Sequence, residues 1–320
     1  MSNKRALLEL FHLFSSSLLE SFFTVSLPLQ NFRERAKGQV LSWGRLPGEK
    51  PFEGEVEFKK REHPPGMRFF GLNAIVTGGG TGFGGLICLA LAREGANVVV
   101  SYNSSKDGAE NVSSEIRAIG RKSIAYRIDI TKWAEVKRAA EELWKTFGPI
   151  DVLVNNAGDM ASKQMSWREI TEEWIDQTLA IDLKGPIYMM HEFGQRMFER
   201  RSGAIVNMAS HVIVLGSPRA PQYAAAKSGL IGLTKSYALA FGPWVRVNAA
   251  CPGYIETDLM KKRADWTPER RKWVLEHTPL KRIAKPEDIV PTVLFLASDD
   301  SNHMTGNIIV CDGGHTMPAA

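Results

Sequence analysis

Cysteine is scarce in this chain, and long apolar runs are absent. The 320 residues include three cysteines, Cys88, Cys251 and Cys311, which lack the spacing of a zinc site or a CxxC motif. This excludes a disulfide scaffold and a cysteine-based metal site, and it indicates a reducing compartment. No apolar stretch reaches the roughly 18 residues that a membrane span requires, because Glu9 and Glu20 interrupt the best candidate.

A large excess of charge is missing as well. The chain carries 40 basic and 35 acidic residues, a formal net charge of +5 that is spread along the sequence. This modest surplus does not indicate nucleic acid as a partner. A composition of 44% hydrophobic and 23% charged residues excludes collagen-like and disordered classes and is typical of globular proteins. Together with the few cysteines, it favours a cytoplasmic location.

Residues 1–66 are predicted to be an N-terminal extension. Leucines and phenylalanines in residues 5–23 recur at helical spacing and predict an amphipathic helix. Three interpretations of this helix stay open: docking on the protein itself or on a partner subunit, organelle targeting by residues 1–30, and attachment to a membrane surface. Its glutamates disfavour targeting, and the few lysines on its polar face disfavour a membrane surface.

The main domain is predicted to cover residues 67–320. Residues 44–66 have the Gly, Pro, Glu and Lys content of a linker. Met67 is a candidate for a second in-frame start, after which the remaining chain is predicted to form a complete domain.

From Phe70 onward, short apolar runs alternate with helical segments. Continuous runs of Val, Ile and Leu between helices indicate βαβ units and parallel strands that are buried on both faces. We therefore predict an α/β fold: a doubly wound, parallel, seven-stranded sheet of Rossmann type with helices on both faces. The strands are expected at Asn73–Val76, Asn97–Ser101, Ser123–Ile128, Val152–Val154, Ala204–Met208, Val245–Ala249 and Asn307–Val310.

A glycine-rich loop follows the first predicted strand and opens the first predicted helix. Glycines let the backbone turn tightly and approach a pyrophosphate, whose charge the helix N-terminus then receives. A plain turn uses the same residues, but a position inside the first βαβ unit favours a nucleotide site. The loop reads Thr77-Gly78-Gly79-Gly80-Thr81-Gly82-Phe83-Gly84.

The TGxxxGxG spacing of this loop resembles that of the short-chain dehydrogenase/reductase family, and further motifs of the family follow in order. The resemblance covers the chain from about Phe70 to Met317 and says nothing of the extension. The matching motifs are Asp129-Ile130, Asn155-Asn156-Ala157-Gly158, Ser210 followed by Tyr223-xxx-Lys227, Pro252-Gly253-xxx-Thr257, and Asp312-Gly313-Gly314.

The resemblance implies an enzyme that transfers a hydride between a nicotinamide cofactor and a carbonyl or secondary alcohol. Family members usually assemble as dimers or tetramers, so a homotetramer built on helices near Trp174–Arg200 and Tyr223–Phe241 is expected. No metal is implied. The predicted cofactor contacts are Gly78, Gly80, Thr81, Gly82, Phe83, Gly84, Tyr102, Asn103, Ser104, Asp129, Ile130, Asn156, Ala157, Gly158, Tyr223, Lys227, Pro252, Gly253, Ile255 and Thr257.

The end of the second predicted strand bears on the choice between NADP and NAD. A carboxylate there would bond the ribose 2′-hydroxyl of NAD and repel a 2′-phosphate. The chain has Tyr102 at this position and no carboxylate before Asp107. Nearby hydroxyls, an amide and Lys106 can receive a phosphate, which favours NADP(H), with NAD(H) as the alternative. Lys106 is equally typical of a solvated loop, and Thr81 stands where many family members carry Arg or Lys.

The predicted chemical centre contains a tyrosine and a lysine four residues apart. The segment has helical composition, so Tyr223 and Lys227 are expected on one helix face. A tyrosine with a pKa of about 10 is a poor proton carrier at neutral pH, and a neighbouring ammonium favours its phenolate. By resemblance, Tyr223 is the acid/base, Ser210 bonds the substrate oxygen, and Lys227 bonds the nicotinamide ribose.

The chain departs from the family at Asp182, where members usually carry Asn as a fourth catalytic residue. A carboxylate lacks the NH₂ donors of the amide unless it is protonated. Its negative charge also disfavours a phenolate at Tyr223. We therefore expect reduced or pH-shifted activity relative to an Asp182→Asn variant.

Substrate choice is predicted to lie in residues 254–285 and in the loops after Gly158 and Ser210. His211 either touches the substrate or supports the serine, and three further side chains form a pocket wall or simply pack: Met160, Met165 and Trp167. A basic group is either a lid for an anionic substrate, such as a phosphopantetheine thioester on an acidic carrier protein, or a solvated helix face. It consists of Lys261, Lys262, Arg263, Arg270, Arg271 and Lys272.

The sequence favours an NADP(H)-dependent oxidoreductase similar to 3-oxoacyl-carrier-protein reductases and to glucose and gluconate dehydrogenases. An NAD-dependent sugar or alcohol dehydrogenase is the alternative among enzymes. A nucleotide-binding scaffold without turnover is the alternative outside them. The complete set of Ser210, Tyr223 and Lys227 argues against the scaffold.

Overall fold

A parallel sheet organises the part of the chain that the computed structural model describes, namely Val56, residues 60–158 and residues 166–317. The strands in these residues are β1 Asn73–Val76, β2 Asn97–Tyr102, β3 Ser123–Arg127, β4 Val152–Asn155, β5 Gly203–Met208, β6 Val245–Pro252 and β7 Ile308–Cys311. All seven are parallel, and their order across the sheet is β3-β2-β1-β4-β5-β6-β7. The prediction of a doubly wound, seven-stranded Rossmann sheet is therefore confirmed.

Strand β6 is longer than the sequence predicts. The sequence predicts that the strand ends at Ala249, but it continues for three more residues, because Ala250, Cys251 and Pro252 also pair with β7. Proline has no backbone N–H to donate, so the ladder ends at this residue. This extension carries the chain directly to the crevice at the carboxyl end of the sheet.

Helices cover both faces of the sheet, as predicted. They are α1 Gly82–Arg93, α2 Lys106–Ala118, α3 Trp133–Thr146, α4 (172–199), α5 Val212–Leu215, α6 Pro221–Phe241, α7 Asp258–Lys261, α8 Pro268–Glu276 and α9 Pro286–Ala297. On one face, strand residues such as Ile75, Leu153 and Ile205 pack on α3, α4 and α6. On the other face, residues such as Val76 and Val100 pack on α1, α2 and α9. Because both faces are buried, the strands read as continuous apolar runs.

Helix α4 is one long helix with two π-helical segments, Ala180–Lys184 and Met190–Gly194. Such wider turns often occur at functional positions. The first segment carries Asp182, whose side chain is fully buried. The described residues include no helix that is long and apolar enough to cross a membrane. The predicted amphipathic helix in residues 5–23 lies outside the described residues.

The segment just before Met67 is held against the main domain by charge pairs. Arg61 donates to both carboxylate oxygens of Asp299, at 2.6 and 3.0 Å, and its backbone N–H donates to the same carboxylate at 3.0 Å. Lys60 forms a more exposed pair with Asp300 at 3.0 Å. Burial alone would raise the pKa of Asp299, but these bonds to Arg61 outweigh it and hold that pKa below its usual value.

We expect Arg61→Ala to lower the free energy of unfolding by about 1–2 kcal/mol. The substitution leaves the buried Asp299 carboxylate without its two side-chain donors. Lys60→Ala, the matched control, removes an exposed pair and should change stability by less than about 1 kcal/mol. Urea denaturation of the full-length chain measures both. Equal losses in the two variants would contradict this role of Arg61.

Candidate active site

The glycine loop turns sharply between β1 and α1 at the carboxyl end of the sheet. Gly78 and Gly82 have φ of +64° and +52°, in the left-handed region that side chains with a Cβ rarely adopt. A Cβ at Gly84 would collide with the carbonyl oxygen of Gly78. Gly82 instead faces open space, since a Cβ at this residue would have no atom within 4 Å. The loop thus leaves room for a ligand directly at the start of α1.

Thr77 ties this loop to the end of β4. Its hydroxyl oxygen accepts hydrogen bonds from the backbone N–H groups of Asn156 and Ala157, both at 3.0 Å. In return, the Asn156 amide donates to the carbonyl of Thr77 at 2.9 Å. Sequence reasoning did not assign a role to Thr77. Its position between the last strand residue and the first glycine is the signal that could have found it.

A groove of about 1340 Å³ runs along the carboxyl ends of the strands. It lies where the strand order reverses, between β1 and β4, which is where open α/β sheets bind ligands. Of the predicted cofactor contacts, those that line it are Gly78, Thr81, Gly82, Phe83, Gly84, Tyr102, Asn103, Ser104, Asp129, Ile130, Asn156, Ala157, Gly158 and Thr257.

Two residues that the sequence assigns to the cofactor, Gly80 and Lys106, do not line the groove. Gly80 packs behind the loop, where a Cβ would lie 2.6 Å from the Ser105 hydroxyl. Lys106 is the exposed first residue of α2 and is not among the residues that line the groove. Three basic side chains do line the groove, but they lie near the end of α7 and just before α9: Lys261, Lys262 and Lys285.

A second pocket of about 450 Å³ adjoins the groove and shares Phe83, Asn156, Gly158, Thr257 and Leu259 with it. Seven predicted catalytic and cofactor residues that do not line the groove meet in this pocket, and they come from α4, α6, the last residue of β6 and the segments that follow β5 and β6. They are Asp182, Ser210, Tyr223, Lys227, Pro252, Gly253 and Ile255. The topology therefore brings together side chains that are far apart in the sequence.

Asp182 and Lys227 form a buried ion pair. The Lys227 ammonium lies 2.9 Å from Oδ1 of Asp182 and donates to the carbonyl of Met208 at 2.9 Å. Asp182 has no exposed surface and Lys227 is 4% exposed. Burial lowers the pKa of the Lys227 ammonium, but the charge of Asp182, its hydrogen bond and the influence of Tyr223 together outweigh burial, so the pKa is raised overall. The lysine is therefore held in its charged form.

Tyr223 lies beside this pair, with the Lys227 ammonium 5.5 Å from its ring centroid. Burial raises the pKa of Tyr223, and the charge of Asp182 raises it further. Lys227 and a hydrogen bond with Ser210 act in the opposite direction without reversing the shift. The lowering that the ammonium alone predicts is thus offset, because the phenol is buried and the ammonium is shared with a carboxylate.

The basic group from the sequence divides between several surroundings. Lys261 and Lys262 line the groove, whereas Arg263 and Arg270 line the smaller pocket. Two members face solvent and form long ion pairs of 3.9 Å: Arg271 with Glu256 and Lys272 with Glu276. The two alternatives that the sequence left open therefore each describe part of this group.

His211 is buried under the smaller pocket. Its Nδ1 lies 3.1 Å from the carbonyl oxygen of Pro252. The centroid of its ring lies 5.0 Å from that of the Tyr254 ring. Burial lowers the pKa of His211, which favours the neutral imidazole. Of the other predicted wall residues, Trp167 is 55% exposed, and Met160 and Met165 lie outside the described residues.

The groove and the pocket fit a nicotinamide dinucleotide and a small substrate. Open space at Gly82 and the start of α1 suits the pyrophosphate, and the pocket with Ser210, Tyr223 and Lys227 lies where the groove ends. A doubly wound sheet with this arrangement defines a nicotinamide-dependent oxidoreductase that acts on CH–OH groups.

The chain belongs to the short-chain dehydrogenase/reductase family. A family model described as enoyl-(acyl carrier protein) reductase matches residues 78–316. Over 246 residues the chain is 41% identical to a 3-oxoacyl-[acyl-carrier-protein] reductase of Staphylococcus epidermidis, covering 77% of this chain and 99% of that protein. A reductase of the same description from Thermotoga maritima is 37% identical over 250 residues, 78% of this chain and 99% of the relative. The resemblance seen in the sequence is thereby confirmed.

Solved structures of the same fold include sugar-acid dehydrogenases. One is a putative gluconate dehydrogenase from Agrobacterium tumefaciens, with a TM-score of 0.74, 30% identity and coverage of 78% of this chain and 98% of that chain. Another is a gluconate 5-dehydrogenase from Burkholderia cenocepacia J2315 in complex with NADP and tartrate, with a TM-score of 0.74 and 27% identity. The match covers 79% of this chain and 99% of the gluconate 5-dehydrogenase chain.

Proposed function

We propose that this oxidoreductase uses NADP(H) to interconvert a ketone and a secondary alcohol, with Tyr223 as the acid/base. The observation that carries the proposal is the burial of Tyr223 beside Lys227 and Ser210 at the end of the groove. When bound, the cofactor supplies or accepts the hydride. Tyr223 donates the proton to the developing alkoxide, and Ser210 donates a hydrogen bond to the same substrate oxygen.

Lys227 and Asp182 are proposed to position the tyrosine and the cofactor. Lys227 holds its charge through Asp182, so it can donate to the ribose hydroxyls while it favours the phenolate of Tyr223. Asp182 cannot supply the amide donors of the usual Asn, but its carboxylate fixes the ammonium at 2.9 Å. The pair thus has a positioning role on this proposal.

The preference for NADP(H) is supported by the ends of β2 and β3. Tyr102 stands opposite Arg127 in the strand register. The Arg127 guanidinium donates to the Asn103 side chain at 3.1 Å and lies 3.5 Å from Glu135. Asn103 lines the groove at the end of β2, where a ribose 2′-phosphate is expected, so Arg127 places a cation directly behind that position. Sequence reasoning proposed Lys106 for this task and did not consider Arg127.

We expect Arg127→Leu to lower kcat/KM for NADPH by about 10-fold and to leave kcat/KM for NADH unchanged, because a charge-assisted bond to the 2′-phosphate is lost. Lys106→Leu is the matched control: neither basic side chain is among the residues that line the groove, but Arg127 donates to the groove residue Asn103, whereas Lys106 is the exposed first residue of α2. Initial rates with both cofactors measure the ratio. A larger loss of kcat/KM for NADPH in Lys106→Leu than in Arg127→Leu would mean that Lys106, and not Arg127, binds the 2′-phosphate. Equal use of both cofactors by the unaltered protein would contradict the preference itself.

A 3-oxoacyl thioester is the first substrate class to test, because the relatives from Staphylococcus epidermidis and Thermotoga maritima are described as 3-oxoacyl reductases. Sugar-acid dehydrogenation is a second candidate, and the arginines in the smaller pocket favour it. The test follows NADPH and NADH consumption with 3-oxoacyl thioesters, oxo-sugar acids and simple diketones. Cofactor binding without turnover on any of them would favour the scaffold instead.

We further propose that the chain forms a homotetramer or dimer through α4 and α6 in the cytoplasm. Phe198 on α4 and Leu239 on α6 are 37% and 73% exposed, and such apolar side chains on a helix surface suit an interface. The solution mass tests the assembly, and cell fractionation tests the location. A monomeric mass would contradict this assembly.

A further inference from the structure

We propose that the substrate carries an anionic group, a carboxylate or a phosphate, and that Arg270 binds it. The inference rests on the proposed function and deepens it, since it names the substrate class of the same pocket. The pocket of about 450 Å³ has Ser210 and Tyr223 in its lining together with Arg219, Arg263 and Arg270. Its volume suits a small molecule rather than a cofactor.

The described charges of this pocket leave a positive surplus. Lys227 is balanced by Asp182 at 2.9 Å. Arg263 donates to both oxygens of Asp265, at 2.7 and 2.8 Å. The same carboxylate lies 3.2 Å from Arg219. Asp265 is therefore shared by Arg263 and Arg219.

Arg270 has no carboxylate partner among the described residues. One of its terminal nitrogens donates to the Tyr254 hydroxyl at 2.7 Å, and its Nε is buried without a hydrogen-bond partner in the described part of the chain. The guanidinium lies 5.0 Å from the Trp273 ring centroid and 5.9 Å from that of Tyr254. These two rings fix its plane while several of its five N–H donors stay available. A planar carboxylate or a phosphate is the acceptor that such a fork suits best.

The groups around Arg270 do not neutralise its charge, and this favours binding of an anion. Arg270 lies in the first turn of α8, where the helix dipole favours negative charge and does not offset the arginine. Burial lowers the pKa of Arg219, and the charge of Arg270 lowers it further. His211 and His315 contribute no countercharge. An anionic group between Arg219 and Arg270 would offset the repulsion between them.

This arrangement separates the two substrate candidates. A free oxo acid or hydroxy acid carries its own anion into the pocket, whereas the acyl part of a thioester is neutral and leaves Arg270 without an acceptor. We therefore expect acetoacetate to be a better substrate than the acetoacetyl thioester of N-acetylcysteamine, by about 10- to 100-fold in kcat/KM. Dihydroxyacetone phosphate against dihydroxyacetone is the corresponding phosphate pair.

The test compares the full-length chain with Arg270→Leu, Arg270→Lys and the matched control Arg271→Leu. Arg271 is the next residue of the same helix, but its side chain is outside the pocket and 50% exposed. Arg270→Leu should lose the 10- to 100-fold preference for the anionic member of the productive pair. Arg270→Lys should keep part of it, and Arg271→Leu should keep all of it. An equal preference for charged and neutral members in the unaltered protein overturns the inference.

Binding measured by tryptophan fluorescence tests the inference without turnover, because Trp273 stacks on Arg270. Malonate and inorganic phosphate are the probes, malonamide is the neutral control, and the stronger of the two anions identifies the ligand chemistry. We expect saturable quenching by an anion that weakens about 10-fold or more in Arg270→Leu and not in Arg271→Leu. Binding that is unaffected by Arg270→Leu, or absent for both anions, overturns the inference. Failure of the proposed function would show separately, as anion binding without turnover of any ketone.

Discussion

Tyr223→Phe is expected to lower kcat by about 10²- to 10⁴-fold, the usual contribution of a positioned general acid or base. The substitution removes the hydroxyl that we propose as the proton donor to the developing alkoxide, while the ring still fills its buried position on α6. Cofactor affinity should change little, because Lys227 and the glycine loop are untouched. Stopped-flow traces of NADPH oxidation with the best ketone of the substrate panel measure kcat, and fluorescence titration measures NADPH binding.

Tyr237→Phe is the matched control for this loss. Tyr237 lies on the same helix, is partly buried and contacts the Phe241 ring at 4.9 Å, a contact that phenylalanine retains. It does not line either of the two pockets described above. We expect kcat of Tyr237→Phe within about twofold of the unaltered protein, as for a substitution without a catalytic contact. Comparable losses in both variants would mean that the effect arises from the packing of α6 and not from the proton of Tyr223.

The fold could be predicted almost completely from the sequence. Strands that are buried on both faces appear as uninterrupted apolar runs, so the predicted bounds of β1 match the observed ones and the parallel topology follows. The predicted ends of β6 and β7 are wrong, because pairing between Ala250 and Ile309 depends on tertiary contacts that no local pattern records. The same limit applies to the π-helical segment around Asp182, since nothing in the sequence predicts a wider turn.

The site could be predicted only where a motif has fixed spacing. Tyr223 and Lys227 are four residues apart on one helix, so their proximity follows from the sequence alone. Arg127 and Asn103 come from different parts of the chain, and Arg270 meets Tyr254 only after the segment beyond β6 has folded back over the pocket. In the sequence, Arg127 and Arg270 cannot be distinguished from ordinary solvent-exposed arginines. Their pairing, or lack of it, is a property of the folded chain.

Lys227→Met is expected to lower the free energy of unfolding by about 3–5 kcal/mol, the cost of breaking a buried ion pair on one side. The Asp182 carboxylate has no exposed surface, so it cannot recover solvation when the ammonium is removed. Lys235→Met, on the exposed surface of the same helix, should change stability by less than about 0.5 kcal/mol. Urea denaturation of both variants tests the difference, and similar stabilities would contradict a charged pair.

The double variant Asp182→Asn/Lys227→Met separates charge from packing. Because it removes both charges, it should recover much of the stability that Lys227→Met loses. Asp182→Asn alone should lose less than Lys227→Met, since the amide oxygen can still accept the hydrogen bond of the ammonium. A double variant as unstable as Lys227→Met would mean that the loss comes from the volume of the lysine side chain and not from the unpaired carboxylate.

The pH profile of Asp182→Asn shows what the pair does for the chemistry. Burial and Asp182 both raise the pKa of Tyr223, so removing the carboxylate charge lowers that pKa. Alcohol oxidation needs the phenolate and rises with pH through this pKa, and therefore its rising limb should move to lower pH in the variant. The falling limb of ketone reduction, which needs the phenol, should move the same way. A limb that stays or moves to higher pH would mean that Lys227 loses its proton once Asp182 is neutral. The aspartate would then be required for the charge of the lysine and would not merely oppose the phenolate.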